Sequence, residues 1–442
     1  MTAPSNRDIW QIAGPIMLSL LAQNIVGVTD TAFLGRVGEV ELGASAIGGV
    51  FYMILFMVGF GFSTGVQILV ARRYGEKKFI AIGRIFDNSF YFVALYSLLI
   101  TSAIFFFGSS LLRPFLSSDA IFQASSVFLK FRVLGLFFSV STLLFRSFYT
   151  GISFTKYLSI SAAIMAVLNV ILDYLLIFGH GGFPKMGIQG AGIASSISEV
   201  AALLFFIWIT SGNKKLKKYQ LFRFVKPDLS IIKSTLSISI FVMLQFVLSI
   251  GSWFVFFMMV EKMGERSLAI SNIIRSIYIF LMIPGWALGS VTSTLVSKTL
   301  GEGKPESVMP IIFKIVRFSF LSMIAVIAVV IFFPGIIISI YTNNISLSEA
   351  TIPSYYIIMG ALVIFSVMSM FFSGVLGTAN TKTSFVIEAV TLSAYLGYTW
   401  LIAVHLKGHI EWVWVAEYVY FSLIGLFSLW YLKKGNWREK KI

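Results

Sequence analysis

The chain contains no cysteine. That excludes a disulfide framework, a thiolate nucleophile and any cysteine-ligated metal. Histidine is scarce: His180, His405 and His409 each lie near the end of an apolar run, where an interfacial imidazole is ordinary. Charge is scarce too. Asp, Glu, Lys and Arg make up 12% of the 442 residues, against about 25% in a soluble domain. Nucleotide and hydrolytic motifs are also missing. Gly301-Glu302-Gly303-Lys304-Pro305 holds a Gly-Lys pair, but has neither the P-loop spacing nor the Ser or Thr that follows it. No Ser/His/Asp set and no metal-ligand spacing is visible. The reading is therefore not an enzyme, with no cofactor, and any transport would draw on an ion gradient rather than on ATP.

What the chain has instead is apolar length. Hydrophobic residues make up 57% of it, and mean hydropathy is +0.89. Twelve runs are long enough to cross a bilayer, at about 9–35, 41–70, 84–107, 119–148, 157–178, 187–211, 231–260, 267–297, 312–341, 349–377, 383–404 and 411–433. They are far longer than the alternating ten-residue strands of a barrel, so the spanning element is the helix. The first run, Ile9 to Gly35, reads as a span and not as a cleaved leader, because few polar residues precede it and no small-residue cleavage site ends a short core. The expected class is an all-α polytopic membrane protein.

The net charge of +15 is a matter of topology. Arg72, Arg73, Lys77, Lys78, the cluster Lys214, Lys215, Lys217, Lys218, Arg223 and Lys226, then Lys298, Lys304 and Lys382, and the tail Lys433, Lys434, Arg438, Lys440 and Lys441 all fall on one side. The opposite loops hold only Arg36, Arg113, Lys185, Lys262, Arg266 and Lys407. By the positive-inside rule both termini face the cytoplasm, and the basic surface is not a nucleic-acid footprint.

The longest polar break between runs divides the chain into residues 1–212, a basic cytoplasmic linker at 213–230, and residues 231–442. The two parts align at a constant shift of 226 residues: Gly38-Glu39 with Gly264-Glu265, Gly59 with Gly285, Gly75-Glu76 with Gly301-Glu302, and Gly151, Thr155 and Lys156 with Gly377, Thr381 and Lys382. Six spans is an even number, so the halves share one orientation and form a parallel repeat. The repeat fails where the acids are. Asp30 is matched by Phe256, Asn169 by Tyr395 and Asp173 by Thr399. A cation site is therefore expected in the N-terminal half alone.

A carboxylate at membrane depth costs roughly 2.5–3.5 kcal/mol on insertion scales, so one that persists is a functional candidate. Asn169 and Asp173 are four residues apart and share a helix face. Asp30, in the first run, lies at similar depth. Oxygen ligands of this kind suit Na⁺, while two neighbouring carboxyls suit a proton. Ser195 and Glu199 are also four apart. Glu199 near mid-span calls for a partner such as Lys130, Arg132 or Arg275. Glu388 lies nearer the cytoplasmic end of its run and is expected to snorkel outward. Pro15 and Pro284 each remove a backbone hydrogen bond inside a run. The kink at Pro15 is a candidate hinge. Phe51, Tyr52, Met53, Phe56 and Met57 bunch in the second run and could line an adaptable cavity.

These features together resemble the multidrug and toxic compound extrusion (MATE) family over the whole chain. The resemblance rests on the two sixfold halves, on Gly14-Pro15 and Asp30-Thr31-Ala32-Phe33-Leu34-Gly35, on the Tyr74-Gly75-Glu76 and Leu300-Gly301-Glu302 loops, and on Asn169 with Asp173. The acid set is similar to that of the DinF-like branch. It implies two pseudo-symmetric six-helix bundles around a central cavity, with Asp30, Asn169, Asp173 and Ser195 as the cation or proton-coupling site. Glu199 and Arg275 are accessory candidates. Pro15 stands where the first helix of the family bends. The acids of the Na⁺-driven branch are missing: the seventh run offers only Gln245 and Ser249 with Glu261 at its end, and the tenth only Glu349 at its start.

The expected function is secondary active multidrug efflux, with H⁺ or Na⁺ exchanged for organic, often cationic, compounds by alternating access. The chain would act as a monomer in the plasma (inner) membrane. A flippase of lipid-linked sugars would call for more mid-span bases than Lys130, Arg132 and Arg275. A non-transporting receptor or scaffold would show no dependence on ion gradients.

Overall fold

A computed structural model describes residues 5–224 and 226–438 of the chain. Lys440 and Lys441 of the basic tail lie outside the described residues. Among the described residues fifteen α-helices follow one another: α1 (Asn6–Val37), α2 (Glu39–Gly75), α3 (Phe79–Leu112), α4 (Asp119–Leu134), α5 (Leu136–Gly151), α6 (Lys156–Phe178), α7 (Ile188–Gly212), α8 (Leu229–Glu261), α9 (Glu265–Gly301), α10 (Val308–Val330), α11 (Pro334–Ser339), α12 (Ile345–Gly377), α13 (Thr381–Trp400), α14 (Ile410–Trp414) and α15 (Ala416–Lys434). No strand forms among the described residues. Among the described residues eleven helical stretches are long and apolar enough to cross a membrane, and twelve if the bent pair α4 and α5 is one span. The protein is a multi-span membrane protein whose environment is a lipid bilayer.

The fourth apolar run, expected as one helix, is a pair bent by 46°. The bend falls at Gly135, and its cause is close packing. A methyl group there would strike the Glu199 carboxylate and the Ser196 backbone on α7. Only a residue without a side chain lets the two backbones approach so closely. By contrast α1 and α9 run through Pro15 and Pro284 as single helices.

The chain packs as two compact units. One is Gly14–Met243. The other is Leu244–Ile442 with the N-terminal residues up to Ala13, whose Trp10 lies 6.3 Å from the Phe318 ring of α10. The first unit buries an aromatic cluster in which Phe145 stacks on Phe206 at 5.5 Å and meets Phe86 edge-on at 5.0 Å. In the second, Phe256, Tyr278, Tyr395 and Trp414 occupy the core with α12 residues such as Phe365. Each such ring removes large apolar area from its surroundings and fixes helix orientation through edge and face contacts.

The 226-residue repeat reappears as geometry inside each unit. Gly151 closes on Val70 and the Gln67 carbonyl; Gly377 closes on Val296 and the Ser293 carbonyl. Every one of those three pairs is related by the same shift. The turn after α2 places Lys77 at φ 58°, and the turn after α9 places Gly303 at φ 74°. Ser153 (φ 58°) and Ala379 (φ 63°) match in the same way. The duplicated features are therefore the ones that backbone conformation requires.

The segment between α7 and α8 is docked on α3. The Asp87 carboxylate accepts from the backbone N–H of Phe222 at 3.0 Å, Arg223 at 2.9 Å and Phe224 at 3.2 Å. Asn88 accepts from the Asp228 amide at 2.7 Å, and Arg84 pairs with the Asp228 carboxylate at 2.8 Å. Hydrogen bonds from Ser230, with Arg84 alongside, hold the Asp228 carboxyl below the ordinary carboxylate range.

A candidate cation site

The site begins with helix periodicity on α6. Asn169 and Asp173 lie one turn apart and face inward, 1% and 0% exposed. Half-buried Asp30 comes from α1, and Ser195, also buried, from α7. The Asn169 amide orientation that satisfies both acids donates to Asp30 Oδ1 at 3.1 Å and to Asp173 Oδ2 at 3.2 Å. Its oxygen then takes the side facing the Ser195 hydroxyl, at 3.4 Å. The two carboxyls also act on each other electrostatically. Asp173 Oδ1 is buried with no donor at all. All four residues that the sequence assigns to one site are thus brought together by three helices of one unit.

Glu199 lies beside this cluster and is engaged on every side but one. Its Oε1 accepts from Arg132 Nη2 at 2.7 Å, Ser139 at 3.0 Å and Tyr52 at 3.3 Å. The Arg132 guanidinium also lies 3.8 Å from the Tyr52 ring centre, a cation–π contact in a desolvated setting. Arg132 acts electrostatically on Asp30 and Asp173 as well. Its Nη1 and the Glu199 Oε2 are buried without hydrogen-bond partners. Arg132 is thus the base that Glu199 needs. Arg275 belongs to the other unit, where it lies 5.0 Å from the Phe257 ring. Pro15 lies in the half-buried part of α1, near its N-terminal end.

The second unit corrects one expectation. Glu388 does not snorkel: it is 2% exposed and accepts from Ser249 and Tyr420, each at 2.8 Å. Its depth along α13 is as the sequence suggests, but the face it occupies turns inward, towards α8 and α15. Glu417, which sequence reasoning passed over, is also buried at 2%. It accepts from Tyr278 at 2.6 Å and from Tyr395 at 3.2 Å. Buried acids are therefore not confined to the first half. Tyr278 and Tyr52 are related by the repeat, and each donates to a buried glutamate. At the repeat equivalents of Asp30 and Asn169, however, Phe256 and Tyr395 stack at 5.7 Å. The signal that could have found Glu417 is a lone acid close to the start of the last apolar run.

The fold has close counterparts among solved structures. A MOP superfamily transporter from Pyrococcus furiosus superposes with a TM-score of 0.88 at 18% identity, covering 97% of this chain and 96% of that one. An outward-facing multidrug resistance MATE family transporter of the MOP superfamily gives a TM-score of 0.90 at 17% identity, over 96% of this chain and 94% of its own. Among sequence relatives, a protein named "Probable multidrug resistance protein NorM" from Thermotoga maritima is 24% identical over 99% of this chain and 94% of its own length. A namesake from Synechocystis is 23% identical over 99% and 96%. Another, from Agrobacterium fabrum, is 28% identical, but that match spans 51% of this chain and half of the relative. The MatE family profile matches residues 15–175 and 242–400, one block in each half of the repeat. The chain belongs to the MatE family.

Proposed function

We propose that this protein is a secondary multidrug transporter that exchanges H⁺ or Na⁺ for organic, often cationic, compounds. The observation that carries this is the bridge of Asn169 between Asp30 and Asp173, with Asp173 Oδ1 lacking any donor. Two carboxyls bridged by one amide, with an acceptor left over, suit a proton or a small cation. The relatives named for multidrug resistance support the substrate class.

In this reading the coupling ion enters at the acid pair and neutralises charge shared by α1 and α6. Pro15 lies 15 residues before Asp30, roughly 22 Å along α1 at 1.5 Å per residue. A weakened backbone at that point gives the charge change somewhere to become motion, if the two shapes of α1 differ by a few kcal/mol. Glu199 and Arg132 hold the neighbouring wall. Both termini face the cytoplasm, the membrane is the plasma (inner) membrane, and the monomer is the working unit. Three bases weigh against a lipid-linked sugar flippase by being engaged elsewhere: Arg132 with Glu199, Arg275 over Phe257, and Lys130 towards the Phe105 ring at 6.0 Å.

Efflux of a fluorescent organic cation from proteoliposomes, under imposed pH or Na⁺ gradients, tests the reading. Asp30→Asn and Asp173→Asn should each reduce gradient-driven efflux to the protein-free background, with the folded protein still in the membrane. Export at the wild-type rate by either variant would remove the acid pair from the coupling mechanism. Wild-type efflux that runs on one of the two gradients and not on the other names the ion.

A further inference from the structure

We propose that the second half of the chain contains its own proton-binding residue, Glu388, and that Gln245 accepts the hydrogen bond of the bound proton. This goes beyond the transport reading and does not depend on it. The starting point is an imbalance around one carboxyl. Tyr420 from α15 donates to Glu388 Oε1 at 2.8 Å, and the single Ser249 hydroxyl hydrogen from α8 is shared between that oxygen at 2.8 Å and the Gln245 backbone carbonyl at 3.0 Å. Oε2 is buried and has no partner.

Among the described residues Glu388 is in no ion pair; the lysines of α8 and α15, Lys233, Lys433 and Lys434, lie near the helix ends. The side chains acting on Glu388 are the two hydroxyls, Ser249 and Tyr420. Glu417, on α15, is held by Tyr278 and Tyr395 and reaches Glu388 only through Tyr420. α12, which packs on α13 and α15, carries a single charged residue, Glu349, near its start. On α13 itself Lys382 is exposed in the first turn. A carboxylate buried with one oxygen unpartnered and no cation beside it is costly. A proton on Oε2 removes that charge and turns the orphan acceptor into a donor.

The donor then needs an acceptor, and α8 carries a candidate for it. Gln245 lies one turn before Ser249, on the same helix face. It is 6% exposed, and its Oε1 is buried without a partner. Ser249 already ties this face of α8 to the Glu388 carboxyl. Two orphan acceptors and one hydroxyl hydrogen make a complete set. A bare carboxylate leaves both unsatisfied, which buried polar groups rarely tolerate.

Infrared difference spectroscopy of the full chain in lipid, titrated in potassium buffer without substrate, tests this directly. A carboxylic-acid C=O band should appear as pH falls through some part of the range from about 4 to 10. It should vanish in Glu388→Gln and persist in Asp30→Asn/Asp173→Asn. It should shift in frequency in Gln245→Leu, because the acid loses its acceptor. Glu388→Asp, as the conservative variant, should restore a band at a changed frequency. Unfolding temperature and monodispersity confirm that each variant is folded. The proposal is overturned if no band depends on Glu388, if the band is constant across that whole range, or if Gln245→Leu leaves it unmoved. Abolition of the band by Na⁺ at fixed pH would instead make the occupant a metal cation. The wild-type and Asp30→Asn/Asp173→Asn spectra separate this outcome from failure of the first-half site.

Discussion

Arg132→Met should cost about 3–5 kcal/mol of stability, because it leaves one member of a buried ion pair without its counter-charge. The structure sets where in that range the loss should fall. Arg132 is mostly buried and Glu199 more so, with side chains 17% and 8% exposed, and their contact is 2.7 Å. Removal of the guanidinium also deletes the face contact with Tyr52, roughly 1–2 kcal/mol in a desolvated site. Against this, Ser139 and Tyr52 still donate to the Glu199 carboxylate and soften the loss. Glu199→Met strands the guanidinium in the same way and should cost a similar amount. The double variant Arg132→Met/Glu199→Met should be no worse than either single one, since an apolar pair of similar volume replaces both charges. The cycle therefore predicts a coupling energy of about 3 kcal/mol or more. Reversible unfolding in mixed micelles, followed for the four proteins, measures it. If the two single losses simply add in the double variant, the pair is a coincidence of geometry and the cluster needs another explanation.

Lys77→Gly should stabilise the fold by roughly 0.5–1 kcal/mol, because Lys77 occupies the left-handed region that glycine occupies at the equivalent Gly303; a lower unfolding temperature for this variant would refute the reasoning. Asp87→Ala leaves three linker amides without their acceptor, a loss of about 2 kcal/mol or more. It should speed tryptic cleavage at Arg223, and an unchanged rate would show that the linker is held by other contacts. Pro15→Ala should slow export more than it weakens equilibrium binding of the same compound, because Ala restores the missing backbone hydrogen bond and favours the straight helix. Transport at the wild-type rate would make Pro15 a structural feature only.

Much of the fold was legible because apolar length and glycine are strong signals. A constant shift of 226 residues located the repeat, and the contacts of Gly151 and Gly377 show why those positions could not vary freely. The acid cluster was legible for a similar reason. Asn169 and Asp173 share a helix face, and a lone carboxylate such as Asp30 stands out in an apolar run. What could not be read was which way a polar residue faces when everything around it is apolar. Glu388 faces inward on α13, which its position in an apolar run does not reveal. Three bases were candidates for Glu199, and only packing selects Arg132. The bend at Gly135 left no mark either, since a glycine in a long apolar run looks the same whether the helix passes through it or breaks. Glu417 was overlooked because nothing in its neighbourhood announces the two tyrosines that hold it.

The division of the chain into units also sets an order of events during synthesis. The first unit is one continuous stretch, Gly14–Met243, and its linker contacts close once Asp228 has emerged. It can complete its packing while the ribosome is still making the rest. The second unit cannot, because it includes the residues up to Ala13, with Trp10 against Phe318. The tip of the first helix is therefore among the first parts translated and among the last to find its neighbours. For most of translation it waits as an unpaired end, and a membrane chaperone or the translocon has most to protect there.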